Sequence, residues 1–194
     1  MYNKLSSYIV SATNGRVDEM DTCFLLTGKP RVGKSTAIKR IIHRIGPEYF
    51  GGFYTEEVRN SMDRIGFNCI TLTGDSGRIA SVDSKSSVRV GRYGVEIDTF
   101  EDIALKAVRQ SLDTKRITVI DEIGFMQMLS VPFREMIHEI VSSSQHIILG
   151  TICVDRHPEI DKIKELTGIK LYPMNEENRD MTTEVLVNDI LKLC

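Results

Sequence analysis

Gly28-Lys29-Pro30-Arg31-Val32-Gly33-Lys34-Ser35 sets glycines, a lysine and a hydroxyl in the spacing G-x-x-x-x-G-K-[ST]. Polyphosphate oxygens need several backbone N–H donors converging on them, and glycine lets the backbone come close. In this spacing Lys34 supplies a point charge to the β- and γ-phosphates, and Ser35 offers its hydroxyl to Mg²⁺. A helix starting here adds the positive end of its dipole. The nucleotide-binding candidates are therefore Gly28, Lys29, Pro30, Arg31, Val32, Gly33, Lys34, Ser35 and Thr36. Arg31 falls where many such loops carry another glycine. If the position needs φ > 0, arginine costs about 1 kcal/mol there. Its guanidinium either leans over the phosphates or is solvated.

A second chemical cluster closes the apolar run Ile117-Thr118-Val119-Ile120, which ends in Asp121-Glu122. Ligands of nucleotide-binding sheets lie at the carboxyl ends of strands. Asp121 is expected to face Ser35 and share Mg²⁺ with it. Glu122 is expected to orient, or take a proton from, the water that attacks the γ-phosphate. Thr151 ends another apolar run and is a candidate γ-phosphate sensor. Phosphoryl transfer spreads charge over the γ-oxygens, so a further arginine is useful. Arg59, Arg64, Arg92, Arg156 and Arg179 are open for that role, with Arg156 best placed by its closeness to Thr151. Arg179 could flank the base or the phosphates. Glu56 and Glu57 either approach the metal and water or cap a strand end. Phe53, Tyr54 and Tyr93 are base-stacking candidates that read more readily as core. His43, His138, His146 and His157 show no metal-ligand spacing.

The elements around these residues alternate. Cys23-Phe24-Leu25-Leu26 reads as a buried strand entering the glycine loop, and Ser35 to Arg44 as a helix with Ile38, Ile41 and Ile42 on one face. Short strand-like pieces separated by glycines fill residues 50 to 97 and predict an antiparallel insertion. Beyond Thr99, helices marked by Ala104 and Val108, by Phe133 and Ile137, from Pro158, and from Met181 alternate with strands at 117–120, 146–150 and 170–172. That pattern predicts an α/β fold, a mainly parallel sheet flanked by helices.

The chain has 194 residues, 41% of them hydrophobic and 27% charged, which excludes a disordered or fibrous class. One domain over residues 21–194 is expected, with residues 1–20 as an N-terminal extension. Lys plus Arg number 25 and Asp plus Glu 27, so net charge gives no general attraction to nucleic acid, which is not expected as a partner. No apolar run approaches a membrane span or a secretory signal. Cys23, Cys69 and Cys153 fall within predicted strands, where free thiols pack as small hydrophobes. These features together predict a cytoplasmic protein.

Several blocks recur in an order that resembles a known family. They are Gly28 to Thr36, Gly51-Gly52-Phe53-Tyr54-Thr55-Glu56-Glu57-Val58-Arg59, Arg64-Ile65-Gly66-Phe67, Gly91-Arg92-Tyr93-Gly94-Val95, Asp121-Glu122-Ile123-Gly124, and Asn178-Arg179-Asp180. Over residues 22 to 192 the chain is similar to the small P-loop nucleoside triphosphatases that include the cancer-related nucleoside triphosphatase. The resemblance implies a RecA-like P-loop NTPase fold and Mg²⁺-dependent hydrolysis of several NTPs to NDP and phosphate. The chain departs from the family wording at Arg31, Phe125 and Gln127. The alternative reading is a nucleotide or nucleoside kinase, in which the insertion and its arginines, Arg78 and Arg89 among them, would hold an acceptor.

Overall fold

The computed structural model describes residues 21–61, 63–143 and 145–193. The expected N-terminal extension lies outside the described residues. Strand β1 (Cys23–Thr27) leads through the glycine loop into helix α1 (Lys34–Ile45). Strands β2 (Phe50–Arg59), β3 (Arg64–Thr71), β4 (Ser76–Ser81), β5 (Arg89–Val90) and β6 (Tyr93–Val95) follow. A helical stretch then runs through α2 (Ile97–Phe100), a π-helical turn over Glu101–Leu105, and α3 (Lys106–Thr114). The remaining elements are β7 (Ile117–Ile123), α4 (Val131–Ser143), β8 (Ile147–Ile152), α5 (Pro158–Lys164), β9 (Ile169–Pro173) and α6 (Arg179–Leu191).

Among the described residues one sheet holds all nine strands, in the order β5-β6-β4-β3-β2-β7-β8-β1-β9. Strands β2, β7, β8, β1 and β9 run parallel, with β8 lying between the loop-bearing β1 and the acidic β7. From β3 onward the pairing is antiparallel. The insertion therefore extends the same sheet instead of forming a separate module. Phe53, Tyr54 and Thr55 turn out to sit on the bridging strand: Phe50 to Tyr54 pair parallel with β7, and Phe53 to Arg59 pair antiparallel with β3.

The central strands are apolar on both faces because both faces are covered. Phe24, Leu26, Ile117 and Val119 pack with Ile38 and Ile41 of α1 and Leu186 and Ile190 of α6. Their neighbours in sequence, Cys23, Leu25 and Ile120, join the opposite layer with Val108 of α3, Phe133 and Ile137 of α4, and Ile160 of α5. Phe53, Phe100 and Phe133 brace that layer by edge-to-face contacts, with ring centroids 5.1 to 6.1 Å apart. Cys23 and Cys69 pack inside strands, and burial pushes the Cys69 thiol up to about 12. Cys153 lies just past β8 and is half-buried, one residue beyond the strand expected to contain it.

Helix α6 is anchored to the sheet edge by one carboxylate. Asp189 accepts hydrogen bonds from Lys170 Nζ (2.6 Å), the Tyr172 hydroxyl (2.7 Å) and Lys192 Nζ (2.8 Å). These donors hold its pKa far below the usual carboxylate range. The stabilisation is present above the ordinary Asp value near 4 and is lost as pH falls further. Asp189→Asn is expected to lose about 1–2 kcal/mol at pH 7, the scale of charged hydrogen bonds with partial exposure. Denaturant titrations at pH 7 and pH 3 check this: the gap from wild type should shrink at the lower pH.

Candidate active site

The glycine loop connects β1 to α1, and its backbone depends on what cannot fit beside it. A Cβ on Gly28 would stand 2.2 Å from the Met174 carbonyl oxygen, at the exit of β9. Gly33 caps α1 at φ 106°, with no side chain capping the first turn and no acidic residue in it. The first N–H groups of α1 therefore have no side-chain acceptor and suit an anion. Arg31 adopts φ 69°, so the left-handed strain raised by its sequence is present, at roughly 1–2 kcal/mol. Lys34 Nζ donates to the carbonyls of Gly28 (2.8 Å) and Lys29 (3.2 Å), which holds the ammonium over the loop.

Strand parity brings the acidic pair to this loop. Ile117 and Val119 face the α1 layer, so Asp121, two residues on, faces it too and lies with Ser35, Ile38 and Val119. Asp121 is 4% exposed. Its Oδ1 accepts a hydrogen bond from the Thr151 hydroxyl at 2.5 Å, across the β7–β8 pairing. Its Oδ2 is buried with no hydrogen-bond partner among the described residues. Burial raises the Asp121 pKa, while the Thr151 and Ser35 hydroxyls and the Lys34 and Lys39 charges pull it back in part. Burial also raises Glu122, and the neighbouring Asp121 adds to this against Lys34. An unpartnered carboxylate oxygen beside a serine hydroxyl fits a hard divalent cation, which takes few protein ligands and keeps the rest as water and phosphate oxygens.

A cleft of about 480 Å³ unites these groups. It is lined by the loop from Gly28 to Thr36, by Asp121 and Glu122, by Tyr54 to Glu57 with Arg64 and Phe67, and by Cys153 to Asp155. Thr151 is fully buried under Asp121. Arg156 is exposed and Arg92 lies out on the insertion, and neither lines the cleft. Arg179 borders a separate recess of about 140 Å³ with Arg40, Asp180 and Thr183, which shares Gly33 and Thr36 with the cleft. Arg59 pairs with Glu57, and Glu56 lies 3.8 Å from Lys39. Phe53 and Tyr93 are core residues, whereas Tyr54 is half-exposed on the cleft wall with Lys39 over its ring. Beside the cleft, buried Gln127 of the 3₁₀ turn Gln127–Leu129 donates to the Thr55 hydroxyl at 3.4 Å.

Residues 23–190 match the model of a family described as NTPase. The chain belongs to this NTPase family. It is 38% identical over 169 residues to the nucleoside-triphosphatase THEP1 of Thermotoga maritima, covering 87% of this chain and 93% of that protein. It is 36% identical over 169 residues to the human cancer-related nucleoside-triphosphatase, covering 80% and 89%. The crystal structure of THEP1 from Aquifex aeolicus superposes with a TM-score of 0.76 at 34% identity, covering 88% of this chain and 97% of that one. The solution structure of the human protein gives a TM-score of 0.70 at 35% identity, covering 87% and 96%. These likenesses bear out the P-loop NTPase fold expected from the sequence.

The sequence did not single out Lys39, Thr55, Phe67, Val154 or Asp155 of this NTPase as site residues. The rule that ligands gather at strand carboxyl ends would have found Cys153 to Asp155, which follow β8. Phe67 belongs to a block that carries the family resemblance, but its place on the cleft follows from the pairing of β3 with β2.

The raised Asp121 pKa has a stability consequence. The folded protein holds this proton more tightly than the unfolded chain, so stability falls as pH rises from the ordinary Asp value through the raised one. Asp121→Asn removes that loss. It is expected to be more stable than wild type at pH 8 and close to it at pH 4, while hydrolysis is lost. Melting curves at the two pH values, without nucleotide, check the sign.

Proposed function

We propose that this NTPase cleaves the β–γ phosphoanhydride bond of ATP, GTP, CTP and UTP with Mg²⁺, releasing NDP and phosphate. The observation that carries this reading is the single cleft shared by the glycine loop, Lys34, Ser35, Asp121 and Glu122. Nucleoside-triphosphatase activity is also what the printed names of the relatives describe.

Each residue has a task that its surroundings support. Loop N–H groups and Lys34 bind the phosphates and offset their charge. Ser35 and Asp121 would hold Mg²⁺, which neutralises the β- and γ-oxygens when bound. Thr151 orients Asp121 by its hydrogen bond. Glu122 keeps partial solvent access and a raised pKa, which suits a base that positions the attacking water and takes its proton. Free thiols at Cys23, Cys69 and Cys153 support the cytoplasmic setting. Among the described residues no helix is long and apolar enough to cross a membrane.

Broad base use is supported by the recess at Arg179. It opens beside Thr36, and neither Asp121 nor Glu122 lines it. Arg40 and Asp180 pair with each other there at 2.8 Å, so neither is committed to a base edge. A guanidinium plane stacks on any base, because every base has a π-face. The four NTPs are expected to show kcat/KM within about tenfold of one another. Arg179→Ala should raise all four KM values together by about fivefold to tenfold, the scale of one lost stacking contact; steady-state kinetics on each NTP checks both.

Phosphorus NMR of Mg-NTP turnover, with and without pooled nucleosides and nucleoside monophosphates, tests the reaction. Free phosphate and NDP should form at rates the pool does not change. A new phosphorylated acceptor with little free phosphate would make the enzyme a kinase. Lys34→Ala should weaken binding and abolish turnover, and Glu122→Gln should keep binding while losing about 100-fold in rate.

A further inference from the structure

The Arg64 guanidinium is the feature of the cleft that these roles leave without a task. Five arginines were open from sequence. Arg59, Arg92 and Arg156 do not line the cleft, and Arg179 borders the neighbouring recess. Apart from Arg31 of the loop itself, Arg64 is the arginine on the cleft wall among the described residues.

Its surroundings hold it in one orientation. Nε donates to the Tyr93 hydroxyl at 3.0 Å and Nη1 to Glu57 Oε1 at 2.8 Å. The guanidinium carbon lies 5.0 Å from the centre of the Phe67 ring and 5.5 Å from that of Tyr93. The support continues behind it. Tyr93 is 6% exposed, donates its hydroxyl to the Arg64 carbonyl, and receives a bond from Arg92, whose Nη2 also reaches that carbonyl. Nη2 of Arg64 has no hydrogen-bond partner among the described residues. A side chain so fixed loses little entropy when its remaining donors meet an anion.

Tyr54 of β2 pairs with Asp121, and Glu57 lies three residues further out, about 10 Å at the usual strand rise and on the opposite face of the strand. Arg64 starts from the row of Arg59 and leans back over Phe67 to the row of Glu57, on the Phe53 side of β2. Arg64, the loop and Lys34 line one cleft.

We propose that Arg64 is a catalytic residue of this NTPase, its free Nη2 edge contacting the γ-phosphoryl oxygens as the bond to the leaving NDP breaks. The contact opposes the charge that develops on those oxygens and adds to that of Lys34 and the loop. This inference rests on the hydrolytic reading above.

Arg64→Ala and Arg64→Lys test it on the full chain, with melting temperature measured alongside. Arg64→Ala is expected to lose about 100-fold or more in kcat with KM within about threefold, the signature of an interaction made in the transition state. It should also lose binding of Mg-ADP with aluminium fluoride while retaining Mg-ATPγS. Added guanidinium ion should restore part of the rate. Arg64→Lys keeps the charge and the stem but lacks the fork, and should remain slow. A kcat within tenfold of wild type in Arg64→Ala overturns the proposal, as does a rise in KM alone. A rate loss that follows a fall in melting temperature, recovered by Arg64→Lys and not by guanidinium, makes Arg64 structural and also overturns it. Wild-type protein that releases no phosphate would instead reject the hydrolytic reading itself.

Discussion

A carboxylate is kept almost wholly out of water at the end of a strand covered on both faces. Asp121 has one oxygen on the Thr151 hydroxyl and one with no partner among the described residues. Burying an ionised group without full pairing costs free energy, and the cost appears as a raised pKa. The surrounding structure holds it there nonetheless. β7 is clamped between β2 and β8, and its apolar side chains are divided between two packed layers. Moving Asp121 into water would withdraw Ile117, Val119 and Ile120 with it. The destabilised carboxylate and the uncapped start of α1 stand within one cleft, and a cation with its polyphosphate would satisfy both.

The bridging strand β2 gives the cleft its second wall. Its first half belongs to the parallel sheet and positions Tyr54 beside Asp121; its second half leaves β7 behind and continues with β3 alone. A pair of strands projecting past the sheet edge needs support of its own. Tyr93, Val95 and Ala80 form a small separate core with Phe67 packed against it. That core stiffens the wall on which Glu57 and Arg64 stand. The glycines of β2 serve the same joint: a Cβ on Gly52, at φ 99°, would stand 2.1 Å from the Val119 carbonyl. A larger residue there would push β2 off β7 and move the wall away from the loop.

Local sequence determined the parts of this protein whose chemistry is local. The spacing Gly28 to Ser35 specifies a turn and a helix start because glycine conformations, the lysine and the hydroxyl act within eight residues. Period-2 alternation along β7 places Asp121 on the α1 face whatever the neighbours are. Even the strain at Arg31 was readable, since a left-handed position penalises any residue but glycine in much the same way. What only the tertiary structure decided depends on pairing between distant segments. No local pattern tells that Thr151 bonds Asp121, that β2 changes partners at Phe53, or that Phe67 and Arg64 line the cleft while Arg156 does not. Those outcomes follow from strand order and register, and register is an energy of the whole sheet: one residue of slip would turn every one of these side chains to the opposite face.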